Sequence, residues 1–330
     1  MKKLQKFVFL IFLVFFIISL FLIKKTGNLI TTFFDQPSSQ VLSQLILARQ
    51  NPTLTNDINF IVLGLDYRND SLENTQTTDT IILTNIKNGQ ISILSLPRDL
   101  WDSQTNFKIN QIYPISLETS DKYKFIQDNF SRITGQKISK TIVFTTEDLR
   151  NLISFVNGVD VYLEKGFVDD QYPNPDYINN PSPDIPIYKT IKFNSGWNHI
   201  DNSNITEFVR SRKSMENGTD LGRIQRQQLL LQSLLQKIQI NPSQINFPAI
   251  YQYWHRQIST NINLTDLFSI LFSQYPYLNN FSLKQYSLEV GLNSNQGHIY
   301  HPNQLVQGQW VFLPVGNNFD LLQKYIRQYF

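Results

Sequence analysis

The sequence predicts a mixed α/β domain that follows a single N-terminal membrane-spanning helix. Phe7–Ile23 is one long apolar run, which is typical of a membrane span. Ile58–Leu65, Thr80–Ile86 and Gln90–Leu96 are short runs rich in β-branched and apolar residues, which favour β-strands. Leu221–Ile238 carries apolar residues at the helical period. Because the chain has 330 residues and 41% of them are hydrophobic, it can bury a full core.

The composition excludes several kinds of site. The sequence contains no cysteine, so disulfides, thiolate metal sites and a cysteine nucleophile are excluded. Its four histidines are scattered and predict no zinc site. A formal net charge of +3 is too small to indicate nucleic-acid binding by itself.

The apolar run at the N-terminus predicts an uncleaved membrane anchor. Its 17 residues are all apolar except Ser19, and lysines flank it on both sides. At about 1.5 Å per residue, with the lysines reaching to the interfaces, the run just spans a hydrocarbon core of about 30 Å. The residues around Lys24 and Lys25 offer no small-residue cleavage site, which argues against a signal peptide. More lysines precede the run than follow it, so the short tail is expected in the cytoplasm.

These features predict four segments. Residues 1–6 are a short cytoplasmic tail, residues 7–23 are the transmembrane anchor, and residues 24–56 are a juxtamembrane linker with a short helix at Val41–Arg49. Residues 57–330 form one extracytoplasmic domain, because no linker-like stretch interrupts them. The expected location is the cell membrane, with a single span. A nucleic-acid partner is not expected outside the cytoplasm.

A hairpin brings an acid beside an arginine at one end of the predicted sheet. Asn88-Gly89 separates two β-branched runs, which is a strong signal for a two-residue hairpin turn. Such a turn pairs positions whose numbers sum to 177, and 79 plus 98 is 177. Asp79 and Arg98 therefore stand opposite each other if the pairing continues to that end of the hairpin.

The buried strand Ile58–Leu65 brings a second acid to the same place. Asp66 follows directly on this strand, and Arg68 is two residues further on. If the strand runs parallel to the third one, both residues emerge at the same edge as Asp79. Carboxylate oxygens without nearby cysteine or histidine suit Mg²⁺ or Mn²⁺, so Asp66 and Asp79 are candidate metal ligands.

Four arginines gather around the start of the predicted helix. Asp220 is placed as its N-cap, so Arg223 falls in the first turn, where the helix dipole already carries partial positive charge. Arg210 and Arg212 lie just upstream, and Arg226 follows Arg223 by three residues. Guanidinium groups bind phosphate oxygens bidentately, so this cluster predicts a phosphate-binding site.

Both charged clusters also allow a structural interpretation. The carboxylates with Arg98 fit a surface cluster of salt bridges. The arginines fit a solvated basic face, or ion pairs with the nearby acids Glu207, Glu216 and Asp220.

Two other regions carry weaker signals. Gly166–Thr190 contains five prolines and is predicted to be irregular, either an ordered surface loop or a lid over a binding site. Towards the C-terminus the patterns predict a helix at Thr260–Phe272 capped near Thr265, a strand at Val311–Val315 and a helix at Asn318–Phe330.

Seven short motifs occur in one order along the chain. They are Leu63-Gly64-Leu65-Asp66-Tyr67-Arg68, Asp79-Thr80-Ile81-Ile82-Leu83, Ser95-Leu96-Pro97-Arg98-Asp99, Lys108-Ile109-Asn110, Gly158-Val159-Asp160-Val161, Gly196-Trp197 with Phe208-Val209-Arg210-Ser211-Arg212, and Asp220-Leu221-Gly222-Arg223-Ile224-Gln225-Arg226-Gln227. Together, behind a single anchor helix, they resemble the LytR-CpsA-Psr (LCP) family of bacterial envelope proteins. Asn157 and Asn202 stand where that family usually has glycine, and asparagine tolerates a left-handed turn.

The resemblance implies a three-layer αβα domain with a central mixed sheet and an apolar cavity for a polyprenyl chain. It also implies phosphotransferase activity. Such an enzyme moves a glycopolymer from a polyprenyl-pyrophosphate donor to a hydroxyl of a peptidoglycan acceptor and releases polyprenyl phosphate.

The resemblance also implies roles for individual residues. Asp66 and Asp79 would hold Mg²⁺ or Mn²⁺, and Asp220 is the candidate base. Arg98 and Arg212 would act in catalysis as well as in binding. The residues implied to bind the pyrophosphate are Arg98, Lys108, Arg210, Arg212, Arg223, Arg226 and Gln227.

Two other functions stay open at this point. A lipid-pyrophosphate hydrolase would use the same site with water as the acceptor. A non-catalytic polyprenyl-pyrophosphate binder, or an envelope-sensing regulator, would need no metal-linked pair of acids.

Overall fold

The computed structural model describes residues 27–52, 54, 57–65, 77–211, 220–240, 242–280 and 282–330. These residues form two compact units. The sheet unit gathers the described residues within Met1–Tyr67, Thr75–Thr145 and Trp254–Phe330, and the ribbon unit gathers those within Thr146–Tyr253.

Helices occur along the whole described part of the chain. In chain order they are α1 Gly27–Phe34, α2 Ser38–Gln50, α3 Ile112–Ser116, α4 Lys122–Thr134, α5 Thr146–Phe155, α6 Pro175–Asn179, α7 Ile205–Arg210, α8 Asp220–Ile240, α9 Phe247–Gln257, α10 Leu264–Gln274 and α11 Asp320–Ile326. Short 3₁₀ helices lie at Ile109–Gln111, Pro242–Gln244 and Tyr275–Asn280.

The strands are shorter and fall in both units. In chain order they are β1 Asp57–Leu65, β2 Thr78–Lys87, β3 Gln90–Leu96, β4 Trp101–Asp102, β5 Phe107–Lys108, β6 Ile138–Thr145, β7 Val159–Leu163, β8 Phe167–Pro173, β9 Tyr188–Phe193, β10 Gly196–Ile200, β11 Ser259–Thr260, β12 Ser282–Tyr286, β13 Val290–Gly291, β14 Ile299–Tyr300 and β15 Leu313–Pro314.

The sheet unit is built on a mixed sheet, whose described strands follow the order β11-β6-β1-β2-β3-β12. β1 pairs antiparallel with β2 and parallel with β6. β2 pairs antiparallel with β3, which pairs parallel with β12. The predicted α/β fold with a central mixed sheet is confirmed. Since β1 and β3 run in the same direction, as predicted, their C-terminal ends share an edge with the start of β2.

The predicted hairpin has the predicted register. Every pair in its ladder, from the turn to Ile81 and Leu96, sums to 177. Asn88 and Gly89 have φ values of 50° and 78°, the left-handed conformation that a tight hairpin turn of this kind requires. The ladder ends at Leu96, since Pro97 has no N–H to donate to the next pair.

One face of the central sheet is sealed by helices. Ile61, Leu63 and Leu83 are at most 1% exposed. They belong to one core with Phe130 of α4 and Leu322 of α11. The alternation of buried and partly exposed residues along β1 follows from the two-residue period of a strand.

The segment predicted to be a linker helix is packed within the sheet unit. α2 contains the predicted helix Val41–Arg49 and packs against α10. Val41 and Ala48 of α2 are buried at 3% and 1% exposure. α10 is in turn tied to β6, because Lys140 Nζ lies 2.7 Å from Asp266 Oδ2.

The core of the ribbon unit lies among its two antiparallel ribbons, β7 with β10 and β8 with β9. Val161, Phe167, Phe193 and Phe208 are among its buried side chains. Phe193 contacts both Phe167 and Phe208, with ring centroids 5.0 and 5.1 Å apart respectively. These aromatic contacts pack α7 against the β8–β9 ribbon.

The helix predicted at Leu221–Ile238 is confirmed as α8, but its buried face differs from the predicted one. Leu231 and Leu235 of the predicted stripe are partly exposed. Arg223 and Arg226 are buried instead, at 3% and 2% exposure. A buried guanidinium needs hydrogen-bond acceptors, and these come from segments that the helical period does not contain.

The prediction of an irregular Gly166–Thr190 segment is wrong in its larger part. The segment forms β8, α6 and the start of β9. Asn174 explains how the chain turns, because its Oδ1 accepts a hydrogen bond from Asp176 N at 3.2 Å and caps α6. Its Nδ2 donates to Pro186 O at 2.9 Å, which closes the connection between the two strands.

Near the C-terminus the predicted elements are present with shorter bounds. The helix predicted from Thr260 begins later, because Asn263 and Asp266 form a capping box at the start of α10. Ser259–Thr260 pairs with β6 instead. The predicted Val311–Val315 strand is confirmed only at β15, and the predicted final helix only at α11.

Among the described residues, no helix is both long and apolar enough to cross a bilayer. The predicted anchor at 7–23 and the tail at 1–6 lie outside the described residues. The anchor, the tail and the segment boundaries therefore stay predictions.

Candidate active site

The acid and the arginine predicted from the hairpin meet at the edge of the central sheet. Arg98 Nη1 donates to Asp79 Oδ1. The contact forms beyond the last pair of the hairpin ladder, between Asp79 near the start of β2 and Arg98 in the turn that follows β3. The side chains of Arg98 and Asp79 are 25% and 11% exposed. The predicted pairing is confirmed, and it is more shielded from water than an ordinary surface ion pair.

The ion pair is part of a longer chain of alternating charges. Asp99 Oδ2 lies 3.4 Å from Arg98 Nε, and Asp99 Oδ1 accepts a hydrogen bond from Lys108 Nζ at 2.8 Å. The order along this sheet-edge cluster is Asp79, Arg98, Asp99, Lys108. Each cation is held in place by a carboxylate, so the cluster is organised before any ligand binds. Phosphate oxygens can replace carboxylate oxygens on a guanidinium, since both offer bidentate geometry.

The backbone around this cluster is also fixed. Asn110 N donates to Arg98 O at 3.2 Å, and Ile109 N donates to Leu100 O at 2.9 Å. The 3₁₀ turn at Ile109–Gln111 thus holds the loop that carries Arg98. The motif Lys108-Ile109-Asn110 therefore supplies a cation and two backbone donors to the same loop.

Two buried oxygens, on residues that adjoin the cluster along the chain or through the backbone, lack hydrogen-bond partners within the described residues. They are Thr78 Oγ1 and Asn110 Oδ1, on residues that are 1% and 8% exposed. Buried polar atoms are normally satisfied by protein, water or an ion. Together with the Asp79 carboxylate, these are oxygen donors of the kind that Mg²⁺ and Mn²⁺ prefer. The chemistry of these oxygens therefore fits the predicted metal.

The second predicted metal ligand, Asp66, lies outside the described residues. Within the part of the chain that the structure describes, no group of three or more His, Asp or Glu side chains is placed to hold a metal ion. The metal site stays a prediction.

In the ribbon unit, Arg226 is buried and bound to backbone. Its Nε donates to Phe208 O at 2.9 Å, and its Nη2 donates to Ser211 O. Its guanidinium lies over the ring of Phe167, with Cζ 4.4 Å from the centroid. Burial, and then the neighbouring charge of Arg223, lower the pKa of Arg226 to about 10, so it remains charged at neutral pH. Arg226 therefore holds the end of α7 and the residue that follows it.

A buried carboxylate completes this network. Ser211 Oγ donates to Asp169 Oδ2 at 2.7 Å, and Gln171 N donates to Asp169 Oδ1 at 3.1 Å. Asp169 and Ser211 are 2% and 1% exposed. Ser211 is thus held both through its side chain and, by Arg226, through its carbonyl. The network therefore fixes the C-terminal end of α7, up to Ser211.

The structure gives contacts for some of the remaining predicted residues and only the position in a helix for others. Arg210 is the last residue of α7 and is partly exposed, and Gln227 Nε2 donates to Val209 O at 3.4 Å. Asp220 is the first residue of α8. Arg212 lies outside the described residues. The convergence of the predicted ligands on one diphosphate stays a prediction.

Sequence reasoning missed two of the charged residues that organise these clusters. Asp99 is the last residue of the motif Ser95-Leu96-Pro97-Arg98-Asp99. It bridges two of the predicted phosphate ligands, Arg98 and Lys108. Asp169 lay in the segment predicted to be irregular. Its signal was its position two residues after Phe167, which places both on the inward side of a strand.

An apolar strip leads along the sheet to the Asp79–Arg98 edge. On the face opposite the sealed core, Val62 pairs with Ile82, and Gly64 lies between Thr80 and Phe144. All five of these residues are partly exposed. The added Cβ of an alanine at position 64 would lie 2.9 Å from Thr80 Cβ, so glycine lets the strands keep this spacing.

The LytR_cpsA_psr family model matches residues 29–325, and the chain belongs to that family. The family takes part in attaching glycopolymers to the cell wall. No curated protein matches the sequence.

Solved structures share the fold at low sequence identity. TagV of B. subtilis is 17% identical, with a TM-score of 0.56 over 83% of this chain and 98% of that one. TagT bound to LIIa-WTA is 16% identical, with a TM-score of 0.55 over 83% and 89%. The LytR-CPS2A-psr family protein YwtF (TagT) with bound octaprenyl pyrophosphate lipid is 14% identical, with a TM-score of 0.51 over 83% and 90%.

Proposed function

We propose that this protein is a phosphotransferase that moves a glycopolymer from a polyprenyl-pyrophosphate carrier to a hydroxyl of peptidoglycan. Polyprenyl phosphate is the second product. The observation that carries the proposal is the sheet-edge cluster at the end of the apolar strip. A lipid pyrophosphate has the same two parts, an apolar chain and a compact anionic head.

The apolar strip suits the polyprenyl chain. Ile61 and Leu63 on one face of β1 are fully covered, whereas Val62 and Gly64 on the other face are partly exposed. Covering the exposed face with an isoprenoid chain removes apolar surface from water, which is favourable by about 25 cal/mol per Å². One of the structures with this fold holds an octaprenyl pyrophosphate lipid, which supports the assignment.

The cations of the sheet-edge cluster suit the pyrophosphate. In the proposed reaction the acceptor hydroxyl attacks the glycan-proximal phosphorus, a new P–O bond forms, and the bond to the polyprenyl phosphate breaks. Negative charge grows on the bridging and equatorial oxygens. Arg98 and Lys108 would stabilise that charge, and their prior pairing with Asp79 and Asp99 means that little reorganisation is needed.

A bound Mg²⁺ or Mn²⁺ would add positive charge beside the phosphate oxygens. We assign its ligation to Asp79 and Asp66. Asp220 would accept the proton of the attacking hydroxyl. Arg210, Arg212, Arg223, Arg226 and Gln227 belong to the proposed pyrophosphate site on the strength of the family motifs, with Arg226 acting through the position of Ser211.

We further propose that residues 7–23 anchor the protein in the cell membrane with the domain outside the cytoplasm. This location would supply both proposed substrates. The lipid carrier lies in the same bilayer, and peptidoglycan lies outside it.

The direct test is product analysis with the full-length protein in detergent. It is incubated with a polyprenyl-pyrophosphate glycan and Mg²⁺, with and without cell-wall fragments. The proposal expects polyprenyl monophosphate and wall-bound glycan, both dependent on the fragments and both abolished by chelation of the metal. Equal release of polyprenyl monophosphate without fragments would identify a hydrolase. Tight binding with no product in either arm would identify a non-catalytic binder.

A further inference from the structure

The ribbon unit presents a second surface with its own chemistry. In the β7–β10 ribbon, Tyr162 stands opposite Trp197, and Asp160 stands opposite His199. Residues two apart on a strand point to the same side, so these four side chains share one face of the ribbon. We call this set the aromatic face.

The aromatic face is open to solvent, whereas the other face of the ribbon is core. Trp197 is 71% exposed and Tyr162 is 51% exposed, and their ring centroids lie 5.3 Å apart. The intervening residues Val159, Val161 and Leu163 are at most 5% exposed. The two large aromatic side chains are therefore not part of the core of the ribbon unit. Paired exposed aromatics of this kind are typical of recognition surfaces.

A polar cleft of about 460 Å³ adjoins the aromatic face at His199. It offers a guanidinium, a carboxylate, amides and hydroxyls. Its lining residues are Arg150, Ser154, Asn157, Gly158, His199, Asp201, Asn202 and Ser203.

The groups of this cleft are held in defined positions. His199 Nδ1 lies 2.7 Å from Asp160 Oδ1, which orients the imidazole ring. Gly158 has a φ of 71°, and an added Cβ would come within 2.4 Å of His199 Nε2, so the ring packs directly over the glycine backbone. Ser203 donates to Asp201 from both its side chain and its backbone, at 2.6 and 2.8 Å. These bonds lower the pKa of Asp201, which keeps it ionised and acceptor-only.

We propose that the aromatic face and the polar cleft together bind an uncharged pyranose oligosaccharide. A pyranose ring has an apolar C–H face, which stacks on an aromatic ring, and a rim of hydroxyls that both donate and accept hydrogen bonds. Trp197 and Tyr162 supply the stacking surface, and the cleft supplies the hydrogen-bonding groups. Asp201 lines the cleft with Arg150, Asp160 holds His199 at its edge, and Lys237 donates to the carbonyls of Asn157 and Gly158. Two carboxylates thus accompany two cations, and this lack of excess positive charge disfavours a phosphate-rich ligand.

This site goes beyond the proposed phosphotransfer, because it would recognise sugar without any phosphate or lipid. The test uses full-length protein in detergent and soluble hexasaccharides of β-1,4-linked N-acetylglucosamine, β-1,4-linked glucose and α-1,4-linked glucose. Binding is followed by tryptophan fluorescence and by calorimetry. We expect at least one hexasaccharide to bind, and Trp197→Ala to weaken that binding by about tenfold or more. Tyr162→Ala and Arg150→Gln should each weaken the binding as well.

The matched control is Trp310→Ala, because Trp310 is 44% exposed but belongs to the sheet unit. It should bind the sugar as the wild type does. The thermal midpoint of Trp197→Ala should fall by only about 4 °C or less, since a single exposed cross-strand pair is lost. No binding of any hexasaccharide at about 10 mM, where even millimolar affinity is visible, overturns the proposal. Unchanged binding by Trp197→Ala also overturns it. Arg98→Ala should keep sugar binding while losing transfer, so failure of this proposal and failure of the proposed chemistry give different results.

Discussion

Arg98 in the sheet unit and Arg226 in the ribbon unit use the same side chain in different ways. Arg98 has a 25% exposed side chain and pairs with the carboxylates of Asp79 and Asp99. Arg226 is 2% exposed and donates to the backbone carbonyls of Phe208 and Ser211. A carboxylate partner can be exchanged for a phosphate, whereas a carbonyl partner fixes the path of the chain. The comparison predicts that Arg98 serves the reaction and that Arg226 serves the architecture.

The largest expected effect is on transfer by Arg98→Ala. Removal of a preorganised charge from the transition state should slow transfer by about 100- to 1,000-fold. The free energy of unfolding should fall by only about 1–2 kcal/mol, because the ion pair is partly exposed. Turnover with the lipid-linked donor and urea denaturation measure the two quantities. Arg256→Ala is the matched control, since Arg256 forms a more exposed ion pair with Asp35 in the same unit, and it should transfer normally. Wild-type turnover by Arg98→Ala would falsify the assignment.

Arg226→Met tests the other side of the comparison. Two carbonyls and the nearby Asp169 would lose a buried cation, so the free energy of unfolding should fall by about 3–5 kcal/mol. Urea denaturation of the full chain measures this loss of free energy. If the variant were as stable as the wild type but inactive, Arg226 would be a ligand of the same kind as Arg98, and the contrast between the two arginines would disappear.

Ser211→Ala should have a smaller effect on the same network. It removes one hydrogen bond from a buried carboxylate, which should cost about 1–2 kcal/mol of unfolding free energy. Ser203→Ala removes an equivalent bond from the exposed Asp201 and should change stability by about 0.5 kcal/mol or less. Urea denaturation measures both losses. Equal losses in the two variants would show that burial does not make the Ser211–Asp169 hydrogen bond more stabilising than the Ser203–Asp201 bond.

The smallest expected effect concerns Tyr253 at high pH. Burial, together with the hydrogen bond that Tyr253 donates to Asp148, raises its pKa from 10.0 to about 12. Because the folded state keeps this proton more tightly, the group contributes stability that is complete below pH 10 and is lost as pH rises towards 12. Thermal midpoints of the wild type should therefore fall faster over that range than those of Tyr253→Phe. Parallel curves for the two proteins would remove Tyr253 as the cause.

Local patterns predicted the hairpin well, and with it the Asp79–Arg98 pair of the candidate site. Asn88-Gly89 determines the turn, the turn determines the register, and the register places Asp79 beside Arg98. Each step involves neighbours in the sequence. Pro97 ends the ladder without separating the two charged side chains, because Arg98 is only two residues beyond the last pair and its side chain reaches Asp79.

Local patterns failed where partners come from distant segments. The helical period of α8 identified the helix and the packing of Ile238, but it predicted Leu231 and Leu235 where Leu230 and Leu234 are buried, and it missed the buried arginines. The free energy that allows Arg226 to be buried comes from acceptors on α7 and from the ring of Phe167, which no periodicity in α8 encodes. The same holds for Asp169, because its strand is completed by a turn that Asn174 closes through a hydrogen bond to the carbonyl of Pro186, twelve residues away.

The sequence by itself determined the alternation of strands and helices, the register of the hairpin and membership of the LCP family, because these depend on short-range spacing. The tertiary structure decided which charges are buried, which carboxylate holds which cation, and which face of each strand stays open. Those outcomes depend on hydrogen-bond partners and packing surfaces that meet only when distant segments of the chain fold together.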